Sequence, residues 1–158
     1  MDLCELARRD HDDLDRALQA MLAPETPARE VTNLLEIFRM CLAVHLIAES
    51  RVFATMVSMV RPPPTLRLQI AELRNEHIAQ QRIAERLARM EPCTDDWCTT
   101  ALELRVMLLD HAKREDYLRA ALDDHVPTGI GRGIAAQYAT ERMQLLGTTS
   151  PLQLSHVA

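Results

Sequence analysis

The chain has 158 residues, 47% of them apolar and only 3% aromatic, with four glycines and a formal charge of −5. That length supports a single core without disulfide staples, and the bias towards Ala, Leu, Met, Arg and Glu favours helices over strands. No basic stripe marks a nucleic-acid partner, and the most apolar stretch, residues 40–60, is broken by His45, Glu49 and Arg51, which argues against a plain membrane span.

The N-terminus, Met1-Asp2-Leu3-Cys4-Glu5, has neither a charged nor an apolar leader region, so the expected location is cytoplasmic. The cysteines at 4, 41, 93 and 98 are then expected to be reduced thiols. The first helix is predicted over 3–23, with Asp2 as N-cap and Glu5 three residues on. Pro24 and Pro27 end it, and Thr26-Pro27 opens a second helix that runs to 60 and stops at Arg61-Pro62-Pro63-Pro64. A third helix covers 66–90, a connection spans 92–96, and a fourth helix covers 97–124. The segment 127–133 is punctuated by glycine but lacks the lysine and the preceding strand of a phosphate-binding loop, so it reads as a connector. A short fifth helix follows over 134–146. The expected organisation is one all-α domain, 1–147, and a flexible tail, 148–158. Short linkers predict an antiparallel up-down-up-down four-helix bundle with the fifth helix on one end.

Each of the four long segments carries an apolar stripe in steps of three and four. Near the middle of each stripe stands one histidine: His11, His45, His77 and His111. Polar groups there cost folding energy unless something satisfies them. His11 and His45 are 34 residues apart, as are His77 and His111, and each second histidine is followed four residues later by a glutamate, Glu49 and Glu115. A shift of 66 residues therefore maps His11, His45 and Glu49 onto His77, His111 and Glu115 without a gap. The chain reads as two helical hairpins of one plan.

Residues at i and i+4 share a helix face, so His45 with Glu49, and His111 with Glu115, can address one centre jointly. Salt bridges between histidines and glutamates would explain part of the pattern without metal. Four histidines at mirrored positions, both glutamates one turn on, point instead to a metal pair. Imidazole and carboxylate together suit iron, manganese or zinc, and iron is the best single choice. Two six-coordinate ions sharing one oxo or hydroxo bridge would keep about two positions open for a small ligand. His125 and His156 fall outside the stripes and have no ligand role.

With these residues in view, the chain resembles the hemerythrin-like, or HHE cation-binding, family. The matching pieces are Arg9-Asp10-His11-Asp12, His45 to Glu49, Glu76-His77 and His111 to Glu115. The resemblance implies an antiparallel four-helix bundle with a non-heme di-iron centre. It also implies a small diatomic or peroxide ligand, in a dioxygen carrier or sensor, an iron sensor, or a protein handling peroxide or nitrosative stress. The chain departs from the oxygen carriers on the third helix, where they have two histidines spaced by four and this chain has His77 alone, with Leu73 and Gln81 one turn away. It offers both Glu115 and Asp116 after His111, and Glu115 is favoured because it mirrors Glu49. Dioxygen binding or sensing is the first functional expectation. The others are an oxidoreductase consuming peroxide or nitric oxide, with a minor redox role for Cys41, and an iron-responsive interaction module. Asp15 and Gln81 are the expected outer partners of His11 and His77.

Overall fold

In the computed structural model, residues 3–123, 125 and 130–148 are described, and among them the regular elements are five helices with no strand. The first, α1, spans Leu3–Leu22 and buries Ala7, Leu14, Leu18 and Met21 along one stripe. Its C-terminal carbonyls are closed by Thr26, whose hydroxyl donates to the Ala20 carbonyl at 2.7 Å and whose backbone N–H donates to Ala23 at 3.0 Å. Thr26 thus finishes α1 rather than capping the next helix. The N-cap of α2 (Ala28–Val60) is Pro27, which accepts from Glu30 and Val31 through its carbonyl. Arg61 ends α2 in the left-handed region, with φ 48° and its N–H on the Val57 carbonyl, before prolines that have no N–H to continue the ladder.

Helix α3 (Pro64–Leu87) begins two residues earlier than predicted because Pro64 fits its first turn, where no N–H is needed. Helix α4 (Asp95–Asp123) also begins two residues early: the Thr94 hydroxyl accepts the Trp97 N–H at 3.3 Å, and Asp95 and Asp96 oppose the positive end of the helix dipole. Helix α5 (Gly131–Thr148) is longer than expected, at 18 residues. Residues 131–133 of the expected connector form the first turn of α5, while its residues 127–129, the proposed Asp2 cap, His156 and the tail beyond Thr148 lie outside the described residues.

Helix α1 packs on α2 and α4, α3 packs on the same two, and α5 lies against α1 and α2. Two apolar clusters result. One gathers late α1, early α2, late α3 and early α4, including Leu18, Phe38, Leu87 and Trp97. The other gathers late α2, early α3, late α4 and α5, including Val52, Leu73, Leu122 and Ile134, with Leu3 and Leu6 of α1 packed against it. Each such side chain removed from water stabilises the fold by about 1.5–3 kcal/mol before entropy is counted. The buried polar residues His45, Glu49, His77, His111 and Glu115 come from the helix middles, between the stretches that feed the two clusters. One helix among the described residues, α2, is long and apolar enough to cross a membrane. Its buried face carries His45 and Glu49, which fits the central helix of a core.

Candidate metal centre

All six singled-out residues point into this layer. The His77 Nε2 atom is 2.9 Å from Glu49 Oε2, and the Nε2 atoms of His45 and His111 are each 3.6 Å from the same oxygen. His11 Nε2 lies 3.1 Å from Glu115 Oε2. Ring centroids are 4.6 Å apart for His11 and His45 and 4.7 Å for His77 and His111. Three overlapping triplets, His11–His111–Glu115, Glu49–His77–His111 and His45–Glu49–Glu115, each bring one donor atom per residue within 4.8 Å of the others. Asp116 does not join them: its side chain is 37% exposed and binds Arg8 at 3.0 Å. Helical geometry decides this, since position i+4 from His111 shares its face and i+5 does not.

Burial lowers the pKa of every one of these histidines. His11 and His45 fall to about 3 and His77 to about 2; loss of solvation is the largest cause, neighbouring positive groups add to it at His11 and His77, and at His45 it outweighs the support of Asp10. His111 is also lowered, burial outweighing the support of Glu76. The rings are therefore neutral near pH 7 and keep lone pairs to offer.

Their tautomers follow from the outer nitrogens. His45 Nδ1 is 2.9 Å from the Tyr138 hydroxyl, which itself donates to Asp10 Oδ2 at 2.7 Å; the ring must therefore donate to Tyr138. His111 Nδ1 donates to Glu76 Oε2 at 2.9 Å. Both rings are left with a bare Nε2: that of His45 faces Glu49 Oε2 at 3.6 Å, and that of His111 lies 3.1 Å from His77 Nε2 and 3.6 Å from the same carboxylate oxygen. Electron pairs facing one another in a dry layer repel, unless a cation or proton lies between them. Consistent with this, His11 Nε2, His45 Nε2, Glu49 Oε2 and Glu115 Oε2 are buried without a hydrogen bond. This donor set fits one or more metal ions, with His11, His45, His77, His111, Glu49 and Glu115 as the residues that could hold them.

The outer partners differ from those expected. Asp15 binds Arg105 at 2.6 Å rather than His11, and the partner of His77 Nδ1 is the Ser50 hydroxyl at 3.3 Å rather than Gln81. The outer partners are instead Asp10 and Glu76, to which the sequence pattern assigns no role, although each precedes the first histidine of its hairpin and the two are 66 residues apart. Asp10 is bound by Arg142 at 2.9 Å and Glu76 by Arg114 at 2.5 Å. Burial alone would raise the Asp10 carboxyl, but donors from His45, Tyr138 and Arg142 outweigh it and hold the pKa at about 2. Tyr138, buried against Asp10, is pushed well above the ordinary phenol range.

Two further polar residues break the repeat. Arg119, one turn beyond Glu115, is 2% exposed and binds both Glu115 Oε1 and, at 3.3 Å, Glu49 Oε1. Burial lowers its pKa to about 10, so it stays a cation at neutral pH. Gln80, one turn beyond His77, is fully buried with neither amide atom hydrogen-bonded. Their counterparts 66 residues earlier are Phe53 and Leu14, both buried and apolar. Cys41 is half-buried, with its thiol pKa raised by burial, which keeps it protonated and unreactive.

Comparison of the chain with protein-family models, with curated proteins and with solved structures gives no match.

Proposed function

We propose that the chain is a hemerythrin-like protein: an antiparallel four-helix bundle, α1 to α4, holding two iron ions and binding dioxygen or a related small ligand. The observation that carries this reading is the convergence of four neutral imidazoles and two carboxylates from four helices, with the inward atoms of His11, His45, Glu49 and Glu115 buried without a hydrogen bond. The alternating helix ends in the two apolar clusters support the antiparallel order.

Bound iron would supply vacant coordination positions and reversible one-electron chemistry. The protein's own part is positioning. Tyr138 and Glu76 fix the tautomers of His45 and His111, so both present Nε2 inward without a search over ring orientations. The apolar clusters on either side limit water at the layer and strengthen every electrostatic interaction inside it. Asp10 holds the Tyr138 proton, a buried polar link running outward from His45.

The test is anaerobic reconstitution with ferrous iron, followed by metal analysis and optical spectra under dioxygen. Two irons per chain, with a spectral change reversed by removing dioxygen, is the expected result. One iron or none, or irreversible oxidation on first exposure, would refute it. A second reading, consumption of peroxide, is favoured by Arg119, a buried cation that could stabilise a hydroperoxide anion near the two glutamates. Steady-state peroxide loss with the iron-loaded protein separates the two.

A further inference from the structure

The geometry points to Arg119 as a resident counter-cation, which neutralises Glu49 and Glu115 in the metal-free protein and competes with metal for them.

Among the described residues no other lysine or arginine is buried. The nearby cations are committed elsewhere, Arg142 to Asp10 and Arg114 to Glu76. Arg119 reaches Oε1 of both glutamates, while their Oε2 atoms face the histidines. Each carboxylate is thus shared between the imidazole layer on one side and a guanidinium on the other. The Arg119 Nη1 atom also donates to the Leu3 carbonyl at 3.2 Å, which ties the guanidinium to the first turn of α1. A planar, five-donor cation suits this forked contact better than a lysine would.

Two carboxylates in a dry core beside neutral imidazoles would be poorly compensated without a cation. Arg119 supplies one positive charge and leaves one negative charge for metal to meet. A bundle that folds before it is loaded requires such a group. The same contact has a consequence for loading. An oxygen held by a guanidinium is a weaker metal donor, so Arg119 should lower the affinity for iron while preserving an ordered empty state. This rests on the proposal that the layer binds iron, but its first half, the charge balance of the metal-free fold, does not.

The test uses the full chain and three variants: Arg119→Met, Arg119→Lys and the double variant Glu115→Gln/Arg119→Met. Thermal unfolding of the chelator-treated proteins comes first. Arg119→Met should lose about 10 °C or more in Tm, or fail to fold without metal, because a buried charge pair has lost one partner. The double variant, which removes a negative charge with the positive one, should recover more than half of that loss. Arg119→Lys should fall between wild type and Arg119→Met. Anaerobic titration with ferrous iron alone comes second. Arg119→Met should bind iron about tenfold more tightly than wild type, and iron should raise its Tm by more.

Metal-free Arg119→Met as stable as wild type would overturn the proposal. So would a double variant no more stable than the single one, since the role would then be packing. Iron affinity unchanged or weaker in Arg119→Met would overturn the competition. A wild-type protein that takes up no iron would instead remove the metal reading, while recovery in the double variant would still establish the counter-cation.

Discussion

The two hairpins of this chain share one inner plan and differ in what braces it. In α1–α2 the carboxylate of Asp10 reaches His45 through an inserted hydroxyl, that of Tyr138 on α5, and Arg142 of α5 closes the far side. In α3–α4 Glu76 bonds His111 directly, and its second partner is Arg114, a residue 58% exposed. The spaces beside the braces differ accordingly. A cavity of about 20 Å³ lies by Asp10 and Arg142, and one of about 220 Å³ by Glu76 and Arg114. One volume would hold about a single water and the other a small molecule. An internal repeat can thus fix the ligand positions while leaving each half free to acquire its own surroundings. Here one half is sealed by an extra helix and the other opens to solvent.

The largest expected effect asks whether the two halves fail as one unit. The histidines have folded pKa values below the ordinary 6.5, at about 3 for His11 and His45 and about 2 for His77. The unfolded chain therefore binds more protons below pH 6.5. Stability is full above that value and falls as the pH drops towards 3. Each histidine costs up to about 1.4 kcal/mol per pH unit within that window. Metal-free protein should therefore unfold on mild acidification, in a single transition seen equally by circular dichroism and by the fluorescence of Trp97. Two transitions would show that the hairpins titrate as separate units.

Next in size is a contrast between the glutamates. Glu49 Oε2 lies within 3.6 Å of three histidines, two of them from the other hairpin, whereas Glu115 Oε2 is close to His11. If the layer binds iron, Glu49→Gln should abolish uptake and Glu115→Gln should weaken it by about 10–100-fold, a size typical of altered metal-site surroundings. Equal losses would make the two carboxylates equivalent and restore the symmetry of the repeat.

Much of this was legible in the sequence, for identifiable reasons. Helical periodicity placed four histidines and two glutamates on inward stripes, and the 66-residue repeat tied them together. Asp10 and Glu76 obey the same repeat but precede the stripe residue by one, where an acidic side chain reads as solvated. Arg119 carried a signal, since it continues the Glu115 face by one turn; a lone arginine there looks like the edge of the stripe. Tyr138 carried none. Its role depends on where α5 docks, and no local pattern sets a contact 93 residues away from His45.

The sealed brace should be the stronger of the two. Tyr138→Phe removes one hydroxyl that serves both His45 and Asp10, leaving buried polar groups unpaired. The expected cost is about 1–3 kcal/mol of stability. Glu76→Gln keeps an acceptor for His111 and gives up mainly the half-exposed pair with Arg114, so about 1 kcal/mol or less is expected. Urea unfolding of the metal-free variants measures both. The reverse order would mean that α5 packs on the bundle without bracing the layer.

The smallest effect concerns Gln80, which stands where the first hairpin has Leu14. Its amide is buried without a partner, so Gln80→Leu should stabilise the metal-free protein by about 1 kcal/mol, making the second hairpin as apolar there as the first. Its position three residues on from His77 sets the amide one turn from the layer, where its use would be contact with a ligand held there. Gain of stability together with a changed affinity for azide in the iron-loaded protein would give Gln80 that use. A loss of stability would mean instead that the amide is satisfied within the fold and serves packing alone.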